Sequence, residues 1–122
     1  EIITYTVEDH LKNRNKEIVE LFQEFQERVL GLAGEDEILE KVGKIYIAYQ
    51  HSKNFCEVSI LTKELHIWLD VKPGEIDDPY HLTRDVTKIG HHGTGSLEIK
   101  LSDTAQLDKV INLVEQSYKL TL

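Results

Sequence analysis

The sequence predicts an α+β domain in two layers, with helices from both ends of the chain packed on one face of a four-stranded, largely antiparallel sheet. Three patterns predict it. Apolar residues recur at intervals of three and four near both ends, three runs between Lys44 and Val71 alternate with period two, and a fourth alternating run, Leu97 to Leu101, precedes the last helix.

Thr6-Val7-Glu8-Asp9 has the hydroxyl-x-x-acid spacing of a capping box, so a helix is expected to begin there. Val7, Leu11, Ile18, Leu21, Phe22, Phe25, Val29 and Leu32 then form one apolar face, interrupted by the polar Lys12-Asn13-Arg14-Asn15-Lys16. A short helix, a break capped by Asn13 or Asn15, and a long helix ending at Gly31-Leu32-Ala33-Gly34 are expected. Glu35-Asp36-Glu37 reads as a solvated linker. Lys44 to Gln50, Phe55 to Leu61 and Glu64 to Val71 are rich in β-branched and aromatic residues and read as a meander joined by short polar loops. The connection from Lys72 to Ser96 is long for a loop, and Asp78-Pro79 ahead of Tyr80 to Val86 suggests a short helix inside it. Ser102-Asp103-Thr104 is expected to cap a final helix with Leu107, Val110, Ile111, Val114 and Tyr118 inward.

Length and charge narrow the class. A chain of 122 residues fits a single domain, 1–122, since compact domains cluster at about 100–150 residues. The formal charge of −8 argues against direct nucleic-acid binding and against acidic membrane surfaces. A single cysteine, Cys56, points to a reducing, cytoplasmic setting, and mid-strand beside Val58 and Ile60 it reads as a core residue. No apolar run is long enough for a membrane helix. The absence of methionine leads us to expect a piece excised from a longer protein.

Alternation along the strands sends Leu65, Ile67, Leu69, Val71, Leu97, Ile99 and Leu101 to the helix-covered face. Tyr46, Ala48, Glu57, Ser59, His66, Trp68, Asp70, Glu98 and Lys100 fall on the other, which is too aromatic for plain solvent and too polar for a core. The long connection, a second subunit, a neighbouring domain or a ligand is expected to cover it. Ile89-Gly90-His91-His92-Gly93-Thr94-Gly95 is the densest concentration of unusual residues. Gly90, Gly93 and Gly95 could form an anion-binding nest with Thr94, Ser96 and Arg84, although the run lacks the lysine and following helix of a phosphate loop. One of His91 and His92 could meet His66, His81, Asp77, Asp78 or Asp85 on a metal, but the adjacent pair cannot share one from a single strand; the reading adopted is no metal and no cofactor. Asp77, Asp78 and Asp85 read as loop-holding groups ahead of acid/base catalysts. The candidate contact residues are therefore Tyr46, His66, Trp68, Arg84, His91, Gly93, Thr94 and Gly95, with no catalytic residue assigned.

Tyr5-Thr6-Val7-Glu8-Asp9-His10-Leu11, Lys44 to Tyr49, Gly74 to Pro79, Arg84-Asp85-Val86 and the Ile89 to Gly95 run together resemble a domain family labelled "predicted transport protein" in bacterial and archaeal genomes. In that family the domain is commonly the C-terminal part of longer proteins, some with a nuclease-like region ahead. The resemblance implies an accessory module. It departs at His92, where an aromatic such as tryptophan is frequent, and at Ser96, where an acid often follows the last glycine. The expected function is a non-catalytic interaction or regulatory domain whose partner is another protein or another part of the same polypeptide, with a homodimer as one option. The alternatives are a small-molecule or phosphate-binding domain, with weak hydrolase activity as an extension, and an adjunct to nucleic-acid processing.

Overall fold

The computed structural model describes residues 3–90 and 94–122. Thr6 opens helix α1 (Val7–Leu11): its hydroxyl accepts the Asp9 N–H and the Asp9 carboxylate accepts the Thr6 N–H, the reciprocal box that the spacing predicts. Asn13 then takes a positive φ of 61°, which turns the chain, and Asn15 caps α2 (Lys16–Leu30) by accepting the Ile18 N–H at 2.9 Å. One face of α2 buries Ile18, Leu21, Phe22, Phe25 and Val29.

The strands are β1 (Leu39–Val42), β2 (Ile47–Gln50), β3 (Asn54–Ile60), β4 (Leu65–Leu69), β5 (Arg84–Asp85) and β6 (Leu97–Leu101). They form one sheet in the order β1-β2-β3-β4-β6-β5, with every neighbouring pair antiparallel. Register stacks Ile47, Val58, Ile67 and Ile99 in one transverse row of the inner face, with Cys56, Leu69 and Leu97 in the next. A register shift at Tyr49/Gln50 bends β2 against Asn54. Asp103 accepts the Ala105 N–H, starting a 3₁₀ turn (Thr104–Gln106) that runs into α3 (Leu107–Lys119). Helices α2 and α3 cover the inner face, and the Ser117 hydroxyl donates to the Phe55 carbonyl to pin α3 onto β3.

The architecture is α+β with an antiparallel sheet, as expected, but with six strands instead of four. β1 was concealed by its charges. Glu40 points toward α2 and accepts from both Gln26 (2.9 Å) and the Tyr49 hydroxyl (2.8 Å), so its carboxylate is satisfied within the helix-side layer. β5 lies in the long connection where a helix was expected. Asp78 uses its carboxylate on the Leu82 and Thr83 N–H groups and on the Thr83 hydroxyl, folding a tight loop with His81 at φ 52°; the chain leaves it extended. Cys56 is a buried core residue.

Phe25 is fully buried and meets Tyr49 edge-on at 6.3 Å. Phe25→Ala should lower unfolding free energy by about 3–5 kcal/mol in urea titration, the range for a large ring removed from a packed core.

Candidate functional site

The outer face carries a transverse row of partners, Lys41, Ala48, Glu57, Trp68, Glu98 and Arg84, one from each strand. Its centre is Glu57 in the middle of β3, with no exposed surface at all. An ionised carboxylate in such a place needs donors. Two come from the chain segment that crosses it: the N–H groups of Thr94 (2.7 Å) and Gly95 (3.1 Å) both donate to Glu57 Oε1. The Thr94 hydroxyl donates in turn to Asp70 Oδ2 at 2.7 Å. Among the described residues, the remaining oxygens, Glu57 Oε2 and Asp70 Oδ1, are buried without a hydrogen-bond partner, and the Asp70 carboxyl is near enough to act on Glu57. Two carboxyl groups brought this close disfavour the ionised form of Glu57. Burial first, and then the bond to and charge of Asp70, push Glu57 up to about 8 against the opposing pull of the two N–H groups.

Gly95 is sterically required there. A Cβ on it would lie 2.3 Å from the Leu69 carbonyl oxygen, and Ser96 N–H donates to that same oxygen at 3.1 Å. The glycine lets the segment press against β4, close enough for its amides to reach Glu57.

Trp68, only 2% exposed, donates its indole N–H to Glu98 Oε2 at 3.1 Å, and Arg84 lies 3.9 Å from Glu98 Oε1. His66 meets Trp68 edge-on at 6.3 Å and pairs with Glu64. Of the candidate residues, Trp68 and Arg84 thus converge on Glu98, and Thr94 and Gly95 on Glu57. Tyr46 sits apart, beside β2 in the turn that follows β1. His91 and Gly93, and His92 between them, lie outside the described residues. Sequence reasoning placed Glu57, Asp70 and Glu98 on this face without selecting them. The available signal was a carboxylate at the centre of an otherwise apolar, β-branched strand.

The anion-nest reading changes with this geometry. The amides of Thr94 and Gly95 do bind a carboxyl group, and it is the chain's own Glu57. Asp78 and Asp85 also serve the fold. Burial pushes Asp78 up, but bonds from Thr83 and Leu82 hold it below the usual carboxylate range, while Thr87 lowers Asp85. Among the described residues, no cluster of three or more His, Cys, Asp or Glu could hold a metal. Asp70 and Thr94 border an open cleft of about 550 Å³ whose other walls include Lys53, Lys72 and Glu75.

Two outcomes follow. Because Glu57 is raised from 4.5 to about 8 on folding, its contribution to stability is full below about 4.5, declines as pH rises, and levels off above about 8. Glu57→Gln, which cannot ionise, should remove that decline; thermal melts from pH 4 to 9 that still fall in parallel with the parent chain would contradict the raised titration of Glu57. Gly95→Ala should lower stability by about 1–3 kcal/mol through overpacking, and amide exchange at Thr94 should quicken as the segment lifts from Glu57.

The family model described as "Domain of unknown function (DUF5655)" matches residues 7–121. An "Uncharacterized protein" of Haemophilus influenzae (strain ATCC 51907 / DSM 11121 / KW20 / Rd) is 35% identical over 119 residues, covering 98% of this chain and 39% of that protein. No solved structure matches. The match runs through every helix and strand that builds the outer-face row, and the chain belongs to the DUF5655 family.

Proposed function

We propose that this domain is a non-catalytic interaction module of a larger cytoplasmic polypeptide, and that its contact surface is the open β1 end of the sheet. The observation that carries this reading is the division of the outer face. Over β3 and β4 that face is closed, with Glu57 and Trp68 buried beneath their own partners. Over β1 and β2 it is open as a groove of about 440 Å³ bordered by Lys41, Lys44, Ile45, Tyr46 and Ala48. Leu39 at 50% and Ile45 at 48% exposure flank it. Large apolar side chains beside a sheet edge are what a protein partner covers.

Three further points support the module reading over a ligand-binding one. The relative's extra length leaves room for other functions in the same polypeptide. The amides of Thr94 and Gly95 are already spent on Glu57, so phosphate bound there would have to displace an internal carboxyl. No helix among the described residues is long and apolar enough to cross a membrane.

Leu39→Asp together with Ile45→Asp tests the surface. In a longer polypeptide that carries the domain, the amides of Leu39 to Val42 should exchange more slowly than in the 122-residue chain alone, and the double variant should lose that protection while keeping its melting temperature within about 3 °C, as exposed substitutions do. Equal exchange in both contexts would move the contact elsewhere. Trp68→Ala does not serve this purpose: removal of a buried indole costs about 3–5 kcal/mol and reports on folding.

A further inference from the structure

We propose that the β1 edge receives an extended, acidic segment of a partner as an added strand, with its carboxylates on Lys41 and Lys44; this rests on the interaction reading and names the chemistry of the partner. The two edges of the sheet differ. β5 is a two-residue strand, Arg84–Asp85, too short and too charged to template another strand. β1 has four residues, alternates Leu39 and Lys41 on the outer face with Glu40 and Val42 toward the helices, and among the described residues has no strand beyond it. Its outward backbone groups are free to pair with an incoming chain, the mode in which main-chain bonds supply affinity and side chains supply selection.

The edge is also held rigid, which lowers the ordering cost of binding. Gly43 N–H donates to the Tyr46 carbonyl at 3.0 Å and closes the turn. His10 Nε2 donates to the Gly43 carbonyl at 2.7 Å, so that nitrogen carries the proton, and the Ser59 hydroxyl donates to the Ile45 carbonyl at 2.9 Å. The turn is therefore anchored from α1 on one side and from β3 on the other.

Charge selects the occupant. The whole chain carries −8, yet the groove borders include Lys41 and Lys44 and no acid, and among the described residues neither lysine enters an ion pair. Glu40, the acid of β1, is turned to the other face and already engaged by Gln26 and Tyr49. The exposed acids Glu35, Asp36 and Glu37 lie just ahead of β1. An incoming strand therefore meets positive charge at the Lys41 to Lys44 end and negative charge at the Leu39 end, which places its acids at the former and an apolar residue on Leu39. A second copy of the chain fits less well. Antiparallel β1 to β1 pairing about a two-fold with fullest overlap sets Glu40 against Glu40 or Lys41 against Lys41.

The test uses the full chain and three blocked six-residue peptides: valine with glutamate at the first and third positions, the same with lysine for glutamate, and the first with one central amide N-methylated. Fluorescence anisotropy should show saturable binding of the first peptide, weakened at least tenfold by 0.5 M salt and by Lys41→Glu with Lys44→Glu, and at least tenfold weaker binding of the other two. Amides of Leu39 to Val42 should gain protection with the first peptide alone. The exposed lysine variants should melt as the parent does, and Lys41→Gln with Lys44→Gln provides a milder pair if they do not. Equal binding of the lysine peptide overturns the charge assignment, equal binding of the N-methylated peptide overturns strand addition, and a dimer by sedimentation that excludes the peptide assigns the edge to a second copy. If no peptide binds but the Leu39 and Ile45 double variant still abolishes β1 protection in the longer polypeptide, the partner chemistry fails and the interaction surface stands.

Discussion

The outer face of this domain is organised by one buried carboxyl group. Glu57 sits where a sheet of this kind would ordinarily hold a valine or a threonine, and everything around it answers the cost of putting an acid there. Two backbone amides take one oxygen, and burial beside Asp70 raises the carboxyl so that it keeps its proton well above the usual carboxylate range. The Thr94 hydroxyl fixes Asp70 in turn. Because Thr94 and Gly95 come from the far end of the long connection, these bonds stitch that connection to the sheet and set where β6 begins. The glycine follows from the same constraint, since only a residue without a Cβ passes Leu69 closely enough to deliver its amide.

Much of the fold was legible because local chemistry and tertiary packing agree. Thr6 and Asp9, Asn15 and Asp103 cap what their spacing says they cap, and β6 has the bounds its alternation predicts. The failures occur where a polar residue is satisfied by something distant in sequence. The stretch around Glu40 receives no strand assignment until Gln26 and Tyr49 are placed beside that carboxylate. Asp78 reads as a helix cap until its carboxylate is seen to close on Thr83, five residues on, and bend the chain back. Glu57 belongs to the same class. Its position on the polar face follows from period-two alternation, but its partners lie 37 and 38 residues away, at a separation no local pattern reports.

The candidate site divides in the same way. The sequence singled out the glycine run and the aromatic face as linked, and Thr94, Gly95 and Trp68 do lie on one face of the sheet. What it could not supply was the sign of the link. Free amides at a glycine-rich turn invite an anion from solution, whereas amides already satisfied by a buried acid are part of the fold. Trp68 shows a parallel reversal: an indole on the face away from the helices suggests a contact surface, yet its N–H is taken by Glu98 and its ring is covered.

That closure is what gives the remaining open surface its meaning. With the outer face closed over β3 and β4, partners are left the ends of the sheet, and here one edge is blunted by length and charge while the other is anchored and positively charged within a strongly acidic chain. A lysine on an exposed edge is a common guard against indiscriminate pairing, because it repels strands that carry lysine of their own. The same guard becomes a selector once a strand with carboxylates at the matching positions is available, since opposite charges across a pair stabilise the register that like charges forbid. Specificity at the β1 edge and solubility of the free domain are then two results of one residue choice, and the buried acid at Glu57, by sealing the rest of the face, ensures that the choice is made at that edge.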